Sequence, residues 1–339
     1  MSARRHIIPV FVPHAGCPNE CVFCNQKRIS GSLSPAVAED VAAAVEMAEE
    51  RVPGMEGAEL AFYGGSFTAI PDAQQESLLG AAQPYMERGV ISSIRLSTRP
   101  DAIDSSVLER LKRFGVETVE LGSQSMCDEV LRLSGRGHTA DDTRHAAAMI
   151  KAAGFKLILQ MMTGLPGSDQ GRDIYTAREL ASLRPDGVRI YPTVIVRDTR
   201  LYDMWQDGEY AEHTLEAAAE VCSKIVPIFE RAGIPVIRLG LNPTDELSGG
   251  SAAAGAYHPA LGEIVRSRIM LENARSVLRG IEPGSRAVLG VRPGRISAMV
   301  GQHRCNIEAL KAEFLLTSLK ITAFETENDE VFLLSVAKN

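Results

Sequence analysis

Three cysteines stand within eight residues of one another: Cys17, Cys21 and Cys24, in the stretch HAGCPNECVFCNQ. Three thiolates this close repel one another unless a cation neutralises them, and soft sulfur ligands select zinc, copper(I) or iron–sulfur centres. Structural zinc takes four ligands, usually from two C-x2-C halves. No second pair follows, because Cys127, Cys222 and Cys305 are far apart, and a zinc site would have to draw on His14. A four-iron, four-sulfur cluster suits the C-x3-C-x2-C spacing better. Such clusters normally take four thiolates, so three leave one iron open to a substrate or cofactor. The missing ligand points to catalysis rather than electron storage.

Four further stretches carry residues capable of chemistry. In Tyr63-Gly64-Gly65-Ser66-Phe67-Thr68 the paired glycines make either a tight turn or a place where bare backbone meets a ligand. In LGSQSM and the following LRLSGRGHT stand Gln124, Arg136 and His138. An arginine suits a carboxylate through its bidentate fork, although most arginines simply solvate a surface. His138 reads equally as packing at a helix start or as a catalytic group. Gln160, in LILQMMTGLPG, is a satisfied core amide or a ligand contact. Tyr191, in RIYP, is a half-buried strand tyrosine or a residue that touches substrate.

These residues need elements to position them. Short apolar runs at Ile7–Val12, Glu59–Tyr63, Ser93–Ser97, Thr118–Leu121, Lys156–Met161 and Gly187–Val194 read as strands, with Val236–Leu239 as a further one. Amphipathic helical patterns separate them, and Ser34, Asp104 and Asp141 are candidate helix caps. Repeated strand–helix alternation predicts parallel βα units, either doubly wound or curved into an open, incomplete barrel. In both arrangements functional groups gather at the carboxyl ends of the strands. The stretches named above are expected there, with Arg136 and His138 following a short helical stretch after the fourth strand.

The chain has 339 residues, 45% of them apolar and 23% charged, which is ordinary globular usage and excludes a disordered or fibrous chain. The N-terminal apolar stretch is broken by Pro9 and Pro13, and no run approaches the roughly 20 apolar residues of a membrane span. A cytoplasmic protein with no membrane association is expected. The net charge of −7 argues against a generally basic nucleic-acid binder. However, residues 264–304 carry eight arginines against two glutamates. Residues 1–245 read as one catalytic domain and 246–339 as a small α/β appendage.

The C-x3-C-x2-C motif, with Phe23 before its last cysteine and its place after the first strand, resembles the signature of the radical S-adenosylmethionine superfamily. The resemblance implies an open, partial (β/α)6 barrel of TIM-like type. It also implies a [4Fe-4S] cluster on Cys17, Cys21 and Cys24, S-adenosylmethionine on the open iron, and reductive cleavage to a 5′-deoxyadenosyl radical, with electrons from an electron donor for the cluster. By the same resemblance Gly64, Gly65, Ser66, Gln124, Arg136 and Gln160 line the cofactor pocket. His138 and Tyr191 remain the candidates for catalysis.

Two longer stretches, TVELGSQSMCDEVLRLSGRGHTADDT and RIYPTVIVRDTRLYDMWQDGEY, are similar to the radical part of the Elongator catalytic subunit, which modifies tRNA wobble uridine. Ser97 stands where that group usually has a carboxylate. The residues after Asp245 show no pyrophosphate-binding glycine signature, so an acetyl-CoA-dependent step is not carried over. Residues 296–311 resemble the helix–loop–helix of a KH RNA-binding module, with Arg304 in place of the last loop glycine. RNA, specifically tRNA, is therefore the expected substrate. A small metabolite or tetrapyrrole is the alternative, and a non-catalytic iron–sulfur or zinc protein is the reading from another class.

Overall fold

The computed structural model describes residues 6–12, 17, 20–24, 35–241, 251–326 and 329–338. His14, and Ser34 as a helix cap, fall outside them. The chain divides into two compact units, Met1–Thr214 with Ile225–Tyr257, and Leu215–Lys224 with His258–Asn339.

The first unit is built on a parallel sheet. Its strands are β1 (Ile7–Val12), β2 (Ala58–Gly64), β3 (Ile91–Thr98), β4 (Val116–Gln124), β5 (Lys156–Thr163), β6 (Gly187–Pro192) and β8 (Val236–Leu239). They lie side by side in chain order, and every neighbouring pair is parallel. This is the open, partial (β/α) barrel, with β1 and β8 as its edges. The sequence pattern extends β6 to Val194, but the strand ends at Pro192. Val194–Val196 forms a separate strand, β7, antiparallel to β9 (Ala252–Gly255).

The intervening helices are α1 (Ala38–Arg51), α2 (Asp72–Glu87), α3 (Ser105–Arg113), α4 (Asp128–Leu133), α5 (Ala140–Ala152) and α6 (Gln170–Ser182). Then come α7 (Arg200–Gln206) and α8 (Leu215–Arg231). Asp104 caps α3 as expected, accepting from Val107 N at 2.8 Å. Asp141 does not cap α5. Thr139 does, accepting from Asp142 N at 3.2 Å while the Asp142 carboxylate accepts from Thr139 N at 2.7 Å. This reciprocal pair satisfies two N–H groups that a single Asp141 cap would leave.

Strand side chains alternate between the two faces of a sheet. One set, Leu60, Phe62, Ile94, Leu96, Val119, Leu121, Leu157, Leu159, Val188 and Ile190, is at most 1% exposed and packs under the helices. The other set faces the inside of the open barrel and is largely polar: Glu59, Arg95, Glu120, Gln160, Arg189, Tyr191 and Arg238. A closed barrel would fill its inside with aliphatic layers. This one carries charge there, which points to a chamber rather than a core.

In the second unit, α9 (Leu261–Leu278), α10 (Ile296–Val300) and α11 (Cys305–Glu313) pack with a three-stranded sheet in the order β11-β10-β12. Its strands are β10 (Arg286–Val291), β11 (Ser318–Ala323) and β12 (Val331–Ala337). Met270, Leu278, Leu289, Val291, Met299 and Leu310 are fully buried at its centre. The buried Asn306 fastens the α10–α11 turn, donating to Ser267 Oγ at 3.0 Å and to the Ala298 and Met299 carbonyls at 3.2 Å.

Candidate active site

The cysteine loop is pinned by backbone hydrogen bonds. Val22 N donates to Ser134 O at 3.1 Å, and Leu201 N donates to Val22 O at 2.8 Å. Val22 is buried with Ile195, Leu201 and Tyr210, and Phe23, Tyr202 and Trp205 pack at the margin. Cys24 N donates to Cys21 O at 3.0 Å, closing a turn. Cys17, Cys21 and Cys24 are all partly exposed, and none of the six cysteines is in a disulfide. Among the described residues no three metal-ligating side chains converge on one point.

Arg136 joins this loop to the barrel mouth. Its Nη1 donates to Cys21 Sγ at 3.3 Å and its Nη2 to the Gly122 carbonyl at 2.6 Å. A positive charge therefore sits beside a sulfur whose metal-bound form is anionic. The approach depends on Gly135, whose φ is +66° and where a Cβ would lie 2.9 Å from Glu20 O. Arg99 was missed in the sequence. Buried in STRPD, it donates to both carboxylate oxygens of Asp101 at 2.9 Å and to the Arg136 carbonyl at 2.5 Å. A buried arginine in a loop has no signature in spacing alone.

Gly64 is exposed and Gly65 half-buried at the end of β2, next to Val12 at the end of β1. Ser66 is buried. Its Oγ lies 2.9 Å from Thr98 Oγ1 and accepts from Arg99 N at 3.2 Å, tying the end of β2 to that of β3. Gln124, at the end of β4, adopts a left-handed backbone with φ 63°. Gln160 Nε2 donates to its Oε1 at 3.4 Å, so the two amides face each other.

His138 is 4% exposed, with Nε2 3.2 Å from the Ser123 carbonyl. Burial, reinforced by Arg136, pushes its pKa down to about 4. It is therefore neutral at pH 7, and its Nδ1 finds no protein partner. A second buried histidine was not singled out in the sequence. His213 Nε2 lies 3.0 Å from Thr163 Oγ1, and its ring packs against Gly164, where a Cβ would come within 2.1 Å of it. Asp173 accepts from Gly164 N at 3.0 Å and from Ser168 Oγ at 2.6 Å, and the Tyr210 hydroxyl donates to Gly164 O at 2.6 Å. The turn after β5 is thus braced by the nearby Asp173 and by Tyr210 and His213 far along the chain.

Below these strand ends lies the inner face. Arg95 bridges Glu59 and Glu120, at 2.7 Å to each. Arg189 reaches Glu120 at 2.9 Å and packs its guanidinium over the Tyr63 ring, 5.9 Å from the centroid. Burial pushes Tyr63 up to about 12 and also raises Tyr191. Of the expected residues, the structure brings Cys21, Arg136, Gln124 and Gln160 to one mouth. Ser66 and His138 are buried behind it, and Tyr191 is half-buried on the inner face.

In the second unit the arginines of residues 264–304 are heavily engaged. Arg266, Arg292 and Arg295 gather on Asp329, at 3.5, 3.9 and 2.8 Å, beside a cavity of about 570 Å³. Arg268 pairs with Glu216 at 2.5 Å, and Arg275 with Glu272 and Glu313 at 2.6 and 2.8 Å.

Comparison with known proteins defines the class. The pattern of the Radical SAM superfamily matches residues 11–179, and that of the Radical_SAM C-terminal domain matches residues 185–270. The chain belongs to the radical SAM superfamily, and it is a radical SAM enzyme.

Among curated relatives, tRNA uridine(34) acetyltransferase of Methanocaldococcus jannaschii is 37% identical over 131 residues, covering 38% of this chain and 24% of the relative. Elongator complex protein 3 of Saccharomyces cerevisiae is 28% identical over 204 residues, covering 54% and 37%. The chain thus spans between a quarter and somewhat over a third of these relatives' length. Among solved structures, Methanocaldococcus infernus Elp3 with its N-terminus deleted superposes with a TM-score of 0.63 at 24% identity, covering 84% of this chain and 70% of that one. Streptococcus suis SuiB bound to its precursor peptide superposes with a TM-score of 0.52 at 14% identity, covering 72% and 51%. Both show the same fold.

The superfamily implies a [4Fe-4S] cluster and S-adenosylmethionine. The residues present fit both. Three thiols sit on an anchored loop, one of them beside a guanidinium, bare glycine backbone lies at the end of β2, and two amides face each other at the ends of β4 and β5.

Proposed function

We propose that this enzyme holds a [4Fe-4S] cluster on Cys17, Cys21 and Cys24 and modifies tRNA. S-adenosylmethionine would rest against Gly64, Gly65, Gln124, Arg136 and Gln160, with Ser66 supporting the end of β2. When bound, the two cofactors supply a 5′-deoxyadenosyl radical for hydrogen abstraction, with an electron from a separate donor. Residues 1–245 provide this chemistry, and the RNA backbone meets the arginines of residues 264–304 in the appendage. No described helix is long and apolar enough to cross a membrane, in keeping with action on a cytoplasmic RNA.

The geometry supports the following parts for the chain's own residues. Arg136 offers its guanidinium to the methionyl carboxylate while one nitrogen stays on the Gly122 carbonyl. Arg99 and Asp101 fix the backbone that carries Arg136. His138, neutral and buried, holds the backbone around Ser123 rather than shuttling a proton at pH 7. Of the two catalytic candidates, Tyr191 is the one half-exposed on the inner face.

The observation that carries this reading is the Arg136 bridge between Cys21 and the end of β4. Anaerobic reconstitution tests the chemistry: iron should bind, dithionite with S-adenosylmethionine should give 5′-deoxyadenosine, and Cys21→Ala should lose both. Unchanged cluster content in that variant would sink the assignment. Nucleoside analysis of tRNA from a deletion strain tests the substrate. An unaltered tRNA profile with an altered small-metabolite pool would favour the metabolite reading.

A further inference from the structure

The inner-face network does not balance. It holds two carboxylates, Glu59 and Glu120, and three guanidiniums, Arg95, Arg189 and Arg238. Arg95 spans both carboxylates and Arg189 takes the remaining side of Glu120. Arg238 is left. It sits on the edge strand β8, directly opposite Arg189 in register, and Arg189 is in turn opposite Gln160. Its Nε is buried without a hydrogen-bond partner, and among the described residues no carboxylate pairs with it. A cation held partly out of water with nothing to neutralise it is costly to a fold. Structures retain such a group where a ligand supplies the opposite charge.

The surroundings favour an oxyanion. Arg189 lies beside Arg238 in register; two of its nitrogens are on Glu120, so it adds positive charge next to the Arg238 fork, and the Tyr191 hydroxyl, two residues further along β6, feels both charges. Planar forks match carboxylate and phosphate oxygens in pairs. Gln160 links this row to Gln124 at the barrel mouth. The same chamber thus runs from the cofactor residues to the arginine pair.

We propose that Arg238, with Arg189 and Tyr191, forms a subsite for a small oxyanion, carboxylate or phosphate, on the molecule whose hydrogen is abstracted. This rests on the inner face being the reaction chamber of the radical SAM enzyme. It adds a requirement that family membership does not carry: the reacting molecule presents one such group inside the barrel.

The test uses the full chain with acetate and inorganic phosphate as probes. Phenylglyoxal, which modifies accessible guanidiniums, is applied with and without each probe, and modified arginines are mapped by peptide mass spectrometry. Arg238 should react about fivefold faster than the carboxylate-bound Arg95, and a probe should slow it. Titration calorimetry should show about tenfold weaker probe binding in Arg238→Gln, with part of the loss restored in Arg238→Lys. Protection by acetate alone assigns a carboxylate, and by phosphate alone a phosphate ester. Protection by neither, or undiminished binding in Arg238→Gln, overturns the subsite. The labelling is done on the unaltered protein, so a poorly folding variant does not decide the matter. 5′-Deoxyadenosine formation, measured in parallel, reports separately on the enzyme class.

Discussion

His138 and His213 are both buried and both pushed down to about 4 from 6.5, whereas burial raises Asp173 from 3.8 to about 6. For the histidines, a depressed folded pKa means that their contribution is complete above 6.5 and is lost as pH falls toward 4. For Asp173 the sign is opposite: its contribution is complete below 3.8 and is lost as pH rises through about 6. Two groups outweigh one, so stability should rise between pH 4 and 6.5, each histidine giving on the order of 3 kcal/mol. Urea unfolding at pH 5 and pH 7 measures this. His138→Gln should narrow the difference between the two, and an undiminished difference would contradict the burial of a neutral ring.

At the scale of elements, two turns carry the site, and each rests on a glycine that admits no Cβ. Gly135→Ala would push against Glu20 O and shift the cysteine loop. Iron retained after reconstitution should fall severalfold, while unfolding changes by only about 1–2 kcal/mol. Gly164→Ala would drive a methyl into the His213 ring, costing about 2–4 kcal/mol by the same unfolding measurement.

The strands themselves were legible in the sequence: Ile7–Val12 and Val236–Leu239 match residue for residue, because apolar runs between helical patterns leave little choice. So was the placing of Cys21, Gln124 and Gln160 after strand ends, which parallel topology enforces; Arg136 reaches them from the α4–α5 loop. The bracing of one turn by Tyr210 and His213 was not legible, since it joins residues 46 and 50 positions apart. Nor was the inner-face network. Which residues of Glu59, Arg95, Glu120 and Arg189 meet depends on strand register, and local pattern does not encode it.

Across the whole molecule, charge is divided more finely than the sequence count suggests. Five of the eight arginines in residues 264–304 are already held by carboxylates. If tRNA is the substrate, as proposed, the salt dependence of its binding should therefore be modest, with a slope of log affinity against log salt well short of the roughly −6 to −7 that eight phosphate contacts would give at about 0.7–0.9 each. Filter binding at several salt concentrations checks this, and Asp329→Asn, which releases three arginines, should steepen it. Gln124 has a similar bearing on the whole chain. Its left-handed φ of 63° is one that glycine or asparagine adopts more readily. Selection for heat resistance alone should replace it early, gaining about 1 kcal/mol and surrendering the amide that faces Gln160. A lineage that keeps glutamine there is accepting a less durable molecule in exchange for turnover, so position 124 offers a readout of which pressure has governed the protein's history.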